Sequence, residues 1–195
     1  ALSQIDKVIA ALRANNIEVA VVENGVAAKT KVVELIPAGV EIMTMTSQTL
    51  EITGIAKEIN ESGKYNSVRK QLTSMDRKKD GDLMQKLGAA PVWTLGSVHA
   101  VTEDGQVIIA SATGSQLPAY AYGSGRVVWV VGAQKLVKNL DEAMERIYKY
   151  TFPLEDARAR VAYGMGSGVN KLLIINKEAT PKRITLVIVK ENLGF

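Results

Sequence analysis

The sequence predicts a layered α/β fold, and three observations carry that expectation. The chain opens on strand–helix–strand segments with short connections, the order from which layered α/β folds are built. Two later runs, Gln106–Ala110 and Arg126–Val131, are rich in Val and Ile and bounded by Gly and Ser, as buried strands are. The near-continuous apolar run Ala20-Val21-Val22 points to a sheet covered on both faces. A chain of 195 residues, 47% of them hydrophobic, can bury a substantial core. No linker, repeat or low-complexity stretch divides it, so residues 1–195 are read as one domain. Aromatic residues make up only 5%, so Leu, Ile, Val and Ala must fill the core.

Ile5, Val8, Ile9 and Leu12 return at helical spacing and predict a helix over Leu2–Asn15, with Ser3 and Asp6 in a capping-box pattern. Ile17–Val22 is a strand candidate. Asn24-Gly25 turns the chain into a second helix, Val26–Ile36, with Val26, Val33 and Ile36 inward and Pro37 and Gly39 as its stop. Val40–Met45 is the next strand, and parallel pairing of the two requires a right-handed crossover. No G-x-G-x-x-G follows the first strand, so no dinucleotide fingerprint is read. A helix through Leu50, Ile52 and Ile55 comes next, then a polar surface loop over Glu58–Tyr65 and a short helix over Val68–Met75. The run Arg77–Asp82 has no interleaved aromatic residues and reads as solvated surface rather than a phosphate or nucleic-acid patch. A net charge of +4 spread along the chain likewise gives no reason to expect a nucleic-acid partner.

Leu83–Leu87 is read as helical, with Gly88 ending it, and Ala90–Thr94 as a short strand. Val98–Val101 and Gln106–Ala110 are expected to pair as an antiparallel hairpin, because Asp104-Gly105 favours a tight turn. Leu117–Tyr122 is a short helix with Pro118 in its first turn and Tyr120 and Tyr122 as packing residues. Arg126–Val131 is the most hydrophobic strand. Asn139 or Asp141 opens a helix with Ala143, Ile147 and Tyr150 inward, and Pro153–Val161 begins another. The Gly- and Ser-rich stretch Tyr163–Asn170 is read as flexible. Leu172–Asn176 and Ile184–Val189 close the chain as strands, with a connection through Thr180-Pro181-Lys182-Arg183 short enough for an antiparallel hairpin; they complete an edge or form a small extension.

The absence of Cys excludes disulfides, a thiol nucleophile and any iron–sulfur cluster held by this chain's own thiolates, and it agrees with the cytoplasm. No basic region followed by a long apolar run opens the chain, and no apolar run reaches the length of a membrane span, so neither a signal peptide nor a span is expected.

Candidate site residues stand where apolar runs hand over to turns or helices: Ser47, Thr49, Gly96, Ser97, Glu103, Thr113, Gly114 and Ser115. They are expected to line one crevice. Ser47 and Thr49 either cap a helix or form a polar rim at a strand's carboxyl end, where α/β folds place ligands. Thr113-Gly114-Ser115 reads as an anion-binding corner at a helix start or as a plain cap. Lys135 either supplies charge to an anion in the crevice or lies on the surface. Glu103 is not needed by its turn; it is surface charge, or it faces the hydroxyls of Ser97, Ser111 and Thr113. His99, the sole histidine, makes a poor metal centre without Cys, so no metal is expected. It is a base through its near-neutral pKa or a hydrogen-bonded structural group. A nucleophilic Ser97 would need such a base and an orienting acid. Arg146, Arg158 and Arg160 are candidates for surface ion pairs or an interface, so an oligomer stays open.

These residues resemble the lactate-utilisation (LUD, or lactate utilisation protein C-like) domain family. The match runs through Leu35-Ile36-Pro37-Ala38-Gly39, Ser47-Gln48-Thr49-Leu50, the segment Thr94–Gly105, Thr113-Gly114-Ser115, Val127–Gly132, Lys135 and Val137. It continues through Leu140–Ala143, Arg146-Ile147, Pro153-Leu154 and Ala157-Arg158. The resemblance implies a Rossmann-like three-layer α/β sandwich with a mostly parallel sheet and some antiparallel strands, similar to the sugar-phosphate isomerase and coenzyme A transferase superfamily. It also implies a link to bacterial lactate oxidation beside partner proteins that carry iron–sulfur clusters. Longer relatives add Cys-rich ferredoxin-like segments; with no Cys here, the redox-active part falls to a partner. The chain departs from many relatives at His99, where they show Asn, and at Ser115-Gln116, where they show Gly-Asn or similar. Three functions stand: an accessory or small-anion-binding protein in lactate or carboxylic acid metabolism; an enzyme acting on a phosphorylated or coenzyme A-linked metabolite, with Glu103 as its working carboxylate; and a non-enzymatic interaction protein.

Overall fold

The computed structural model describes residues 3–195, and its centre is a six-stranded, wholly parallel sheet. In chain order its strands are β1 (Glu18–Val22), β2 (Glu41–Thr44), β3 (Asn66–Ser67), β4 (Trp93–Gly96), β7 (Arg126–Gly132) and β10 (Ile184–Val189). They lie side by side as β1-β10-β7-β4-β2-β3. A second, mixed sheet holds β5 (Ala100–Thr102), β6 (Val107–Ser111), β8 (Leu136–Val137) and β9 (Lys171–Ile175), ordered β8-β5-β6-β9. The helices are α1 (Gln4–Ala14), α2 (Gly25–Leu35), α3 (Gln48–Ile52), α4 (Ile55–Glu61), α5 (Val68–Thr73), α6 (Arg77–Ala89), α7 (Leu140–Arg146) and α8 (Phe152–Tyr163). Wide π-type turns cover Ala119–Gly123 and Ile147–Thr151, the second joining α7 to α8. This is a three-layer α/β fold.

The layers follow from the alternation of side chains along the central strands. On β7, Val127, Trp129 and Val131 join the core on one face, where Val8 and Leu12 of α1 and Val107 and Ile109 of β6 meet them. Val128 and Val130 face the other way, against Ala28 and Val32 of α2, Leu50 of α3 and Ile55 and Ile59 of the α4 segment. Both faces are covered, so these central strands read as continuous apolar runs. A third cluster packs Ala100 and Ile108 of the small sheet against Ala143 of α7 and Ile147.

Much of the local chemistry acts as its sequence indicates. Ser3 and Asp6 form a reciprocal capping box on α1, and Asn24 and Asn139 accept from the first-turn N–H groups of α2 and α7. Leu2, expected in the first helix, lies outside the described residues. β5 and β6 pair antiparallel around the Glu103–Gly105 turn, with Gly105 at a left-handed φ of 77°.

Several expectations are corrected. Val26 is 79% exposed, and Ala28 and Val32 supply the inner face of α2. The helix expected through Leu50 and Ile55 is two helices, α3 and α4, broken at Gly54 with φ 68°. α4 runs to Glu61, into the expected loop, and Tyr65 is buried beneath it. Arg77–Asp82 is the first half of α6, which passes through Gly88 instead of stopping there. Tyr122 and Tyr150 point to solvent, whereas Tyr120 packs edge-on against Trp129. The closing strands form no hairpin. β9 pairs with β6 in the small sheet, and β10 lies inside the large sheet between β1 and β7. The full burial of Ile184, Leu186, Val187, Ile188 and Val189 is the physical reason, because an edge strand would leave part of that row wet.

Candidate functional site

The chain leaves β2 for β3 on one side, and leaves β4 towards β7 and β10 on the other. The connections therefore diverge between the carboxyl ends of β2 and β4, and such a switch point is where open α/β sheets form a crevice. After β2 come Ser47 and Thr49, and after β4 comes Ser97. β7, on the far side of β4, delivers Lys135 through a tight turn over Ala133–Lys135.

Lys135 is the centre of this corner. Only 2% of it is exposed. Its Nζ donates to Thr49 Oγ1 and to Ser97 Oγ, each at 3.1 Å. Thr49 Oγ1 in turn donates to the Leu193 carbonyl at 3.1 Å, which ties the C-terminal segment to the site. No carboxylate lies within ion-pair distance of Lys135 among the described residues. Burial pushes the Lys135 ammonium down to a pKa of about 7, and the Arg146 charge pushes the same way.

Two arginines extend the positive field. Arg146 at the end of α7 donates from Nε to the His99 carbonyl at 3.0 Å, while its buried Nη2 has no hydrogen-bond partner among the described residues. Arg69 on α5 donates from Nε and Nη2 to the Thr44 carbonyl at the end of β2, at 3.0 and 2.7 Å. Neither has a carboxylate within 4 Å among the described residues, and Glu51 acts on Arg69 only from farther away. The sequence points to no role for Arg69, and for Arg146 only to a surface ion pair or an interface. A lone Arg in a short helix and an Arg in a last helical turn give no spacing signal for a common site.

The remaining candidates are distributed as follows. Gly96 sits under the Tyr120 ring, whose hydroxyl occupies the space a Cβ would need. That hydroxyl reaches the Ser97 carbonyl at 3.5 Å. Ser47 caps α3, accepting from Leu50 N at 3.4 Å. His99 Nδ1 accepts from Ala110 N at 3.1 Å, so it serves as a backbone anchor. Burial, with Lys135 and Arg146 adding, drives its pKa down to about 3 and keeps it neutral. Glu103 does not face Ser97, Ser111 and Thr113; it pairs with Lys7 of α1 at 2.9 Å.

The Thr113-Gly114-Ser115 corner is closed on itself. Ser111 Oγ accepts from Gly114 N at 2.8 Å, and Thr113 Oγ1 accepts from Ser115 N at 3.3 Å. Ser115 is exposed and caps no helix, and Gly114 holds φ 84°. The cation over this corner is Lys171, donating to the Thr113 carbonyl at 2.7 Å, and not Lys135. The structure thus gathers Thr49, Gly96, Ser97 and Lys135 at the switch point, and places Glu103 and residues 113–115 in separate settings.

Comparison with known proteins adds two findings. Residues 5–189 match the family model described as the LUD domain. Among solved structures, the chain is similar to a DUF162 family protein from Deinococcus radiodurans, at 10% identity and a TM-score of 0.60, over 97% of this chain and 99% of that one. That likeness is one of fold. No curated protein matches the chain.

Proposed function

This chain belongs to the LUD domain family, and from that premise we propose that it binds a small anionic metabolite at the corner built by Thr49, Ser97 and Lys135, as an accessory protein of lactate or other carboxylic acid metabolism. One observation carries the reading: a nearly fully buried lysine, held by two hydroxyls, with no acid among the described residues to neutralise it. A buried charge without a partner is costly, and an arriving carboxylate or phosphate removes that cost. The unpartnered Nη2 of Arg146 and the charge of Arg69 favour the same sign of ligand. The family resemblance supports the link to lactate and to iron–sulfur partner proteins.

The test is a thermal-shift panel of lactate, pyruvate, sugar phosphates and coenzyme A esters at matched ionic strength, on wild type and Lys135→Met. A true ligand at a hundredfold its Kd adds about 2.7 kcal/mol to wild-type stability. It is expected to add little to Lys135→Met. A panel that stabilises both proteins equally, or neither, would refute the reading.

An enzyme acting on a phosphorylated or coenzyme A-linked metabolite is the second reading, favoured by the near-neutral pKa of Lys135. On this reading the working group is the Lys135 amine, since Glu103 is engaged with Lys7.

A further inference from the structure

We propose that Lys135 forms an imine with a small 2-oxo acid, the carbonyl carbon bonded to Nζ and the neighbouring carboxylate held by Arg146. The inference rests on the anion-binding reading above and names the class of ligand within it. Four features of the corner converge on it. The amine is fixed by two hydroxyls rather than by a carboxylate, so nothing locks it as an ammonium ion. Arg146 is tied to the His99 carbonyl, two residues on from Ser97, and among the described residues its buried Nη2 has no acceptor. Ser97, one of the two hydroxyls on Nζ, is itself partly exposed, so the hydrogen-bond shell of the amine reaches the surface. Desolvation leaves a large share of the amine unprotonated near neutral pH, the state that attacks carbonyls.

The step balances without an oxidant or a metal. The Nζ lone pair attacks the carbonyl carbon, and the π electrons of the C=O bond move to oxygen. Proton transfer from nitrogen to that oxygen gives a carbinolamine. The hydroxyl then takes one further proton from solvent and leaves as water, and the nitrogen lone pair closes the C=N bond. The products are a protonated imine and one water. Ser97 and Thr49 are the hydroxyls placed to relay protons at Nζ, both 3.1 Å away. A 2-oxo acid suits the corner because its carboxylate adjoins the reacting carbon, so one small molecule engages the amine and the arginine together.

The experiment uses the intact chain, pyruvate as probe and sodium borohydride to reduce any imine to a stable secondary amine. Wild type is expected to gain one 1-carboxyethyl group per chain, mapped by mass spectrometry to Lys135, where trypsin then no longer cuts. Lys135→Arg, checked for fold by circular dichroism, is expected to lose that adduct; Lys135→Met gives a second variant should Arg not fit. Arg146→Gln is expected to lower the adduct yield at limiting pyruvate. If pyruvate raises the melting temperature of wild type but no adduct forms at Lys135, the imine is refuted and the anion-binding reading survives. Modification that is equal in wild type and Lys135→Arg also refutes the imine. If pyruvate gives neither adduct nor thermal shift, the imine fails; the wider panel then decides the anion reading separately.

Discussion

At the scale of single residues, Lys135 makes a prediction in its own right. Its folded pKa of about 7 lies below the ordinary value of 10.5. Between those values the unfolded chain holds more protons than the folded one, so the stability of the fold rises with pH across that window. Below about pH 7 the cost of burying the charge is felt in full. Urea unfolding of wild type at a series of pH values is expected to show this rise, and Lys135→Met is expected to lack it. At pH 7 the same variant should hold or exceed wild-type stability, because an apolar side chain replaces an unpartnered charge. Identical pH profiles for the two proteins would mean that Lys135 is not desolvated. The residues themselves gave partial notice. Thr49, Ser97 and Lys135 were recognisable as polar groups at the ends of apolar runs. That one hydrogen-bonded corner unites them, and that Thr113 and Ser115 stand outside it, depends on contacts across 86 and 38 positions of sequence for the lysine alone.

At the scale of elements, the turn Ala119–Gly123 shows how a distant residue holds the site. Arg183, just ahead of β10, donates to the carbonyls of Ala119, Tyr120 and Ser124 and pairs with Glu178 at 2.8 Å, with little of either side chain exposed. It thereby fixes the turn that lays Tyr120 over Gly96 and Ser97. Arg183→Met would leave the buried Glu178 carboxylate without its counter-charge and take a donor from each of three carbonyls. The expected loss is about 3–5 kcal/mol, read from chemical denaturation. The double variant Arg183→Met/Glu178→Met is expected to recover part of that loss; equal losses for single and double variants would refute the pairing as its cause. Helix starts at Ser3 and Asn139 were legible, because a cap and its N–H partner lie three residues apart, whereas Asn24, readable as a turn, also caps α2. The role of Arg183 was not legible. In sequence it belongs to a short polar link that looks like a hairpin turn, and only the placement of β10 aims it at a turn some 60 residues away.

For the whole molecule, the C-terminal segment closes the core and the site together. Leu193 is buried in the cluster on the α2 face, its N–H donates to Gln134 Oε1, and its carbonyl accepts from Thr49 and Gln134. Leu193→Ala is expected to cost about 2–5 kcal/mol, the range for a core leucine truncated to alanine. It should also weaken any ligand of Lys135, since the Leu193 side chain anchors the segment whose carbonyl accepts from Thr49; unchanged affinity with reduced stability would separate core from site. By itself the sequence determined the α/β class, the runs that form β1, β6 and β7, the β5–β6 hairpin and most helix starts. All of these rest on neighbours within a few residues: side-chain periodicity, caps and turn chemistry. Tertiary structure alone decided that β10 enters the middle of the large sheet, that β9 joins the small one, and that Lys135 is buried among Thr49, Ser97 and the charge of Arg146. Strand order and the burial of a charged group are set by the packing of segments far apart in the chain, and local patterns carry no record of which segments will meet.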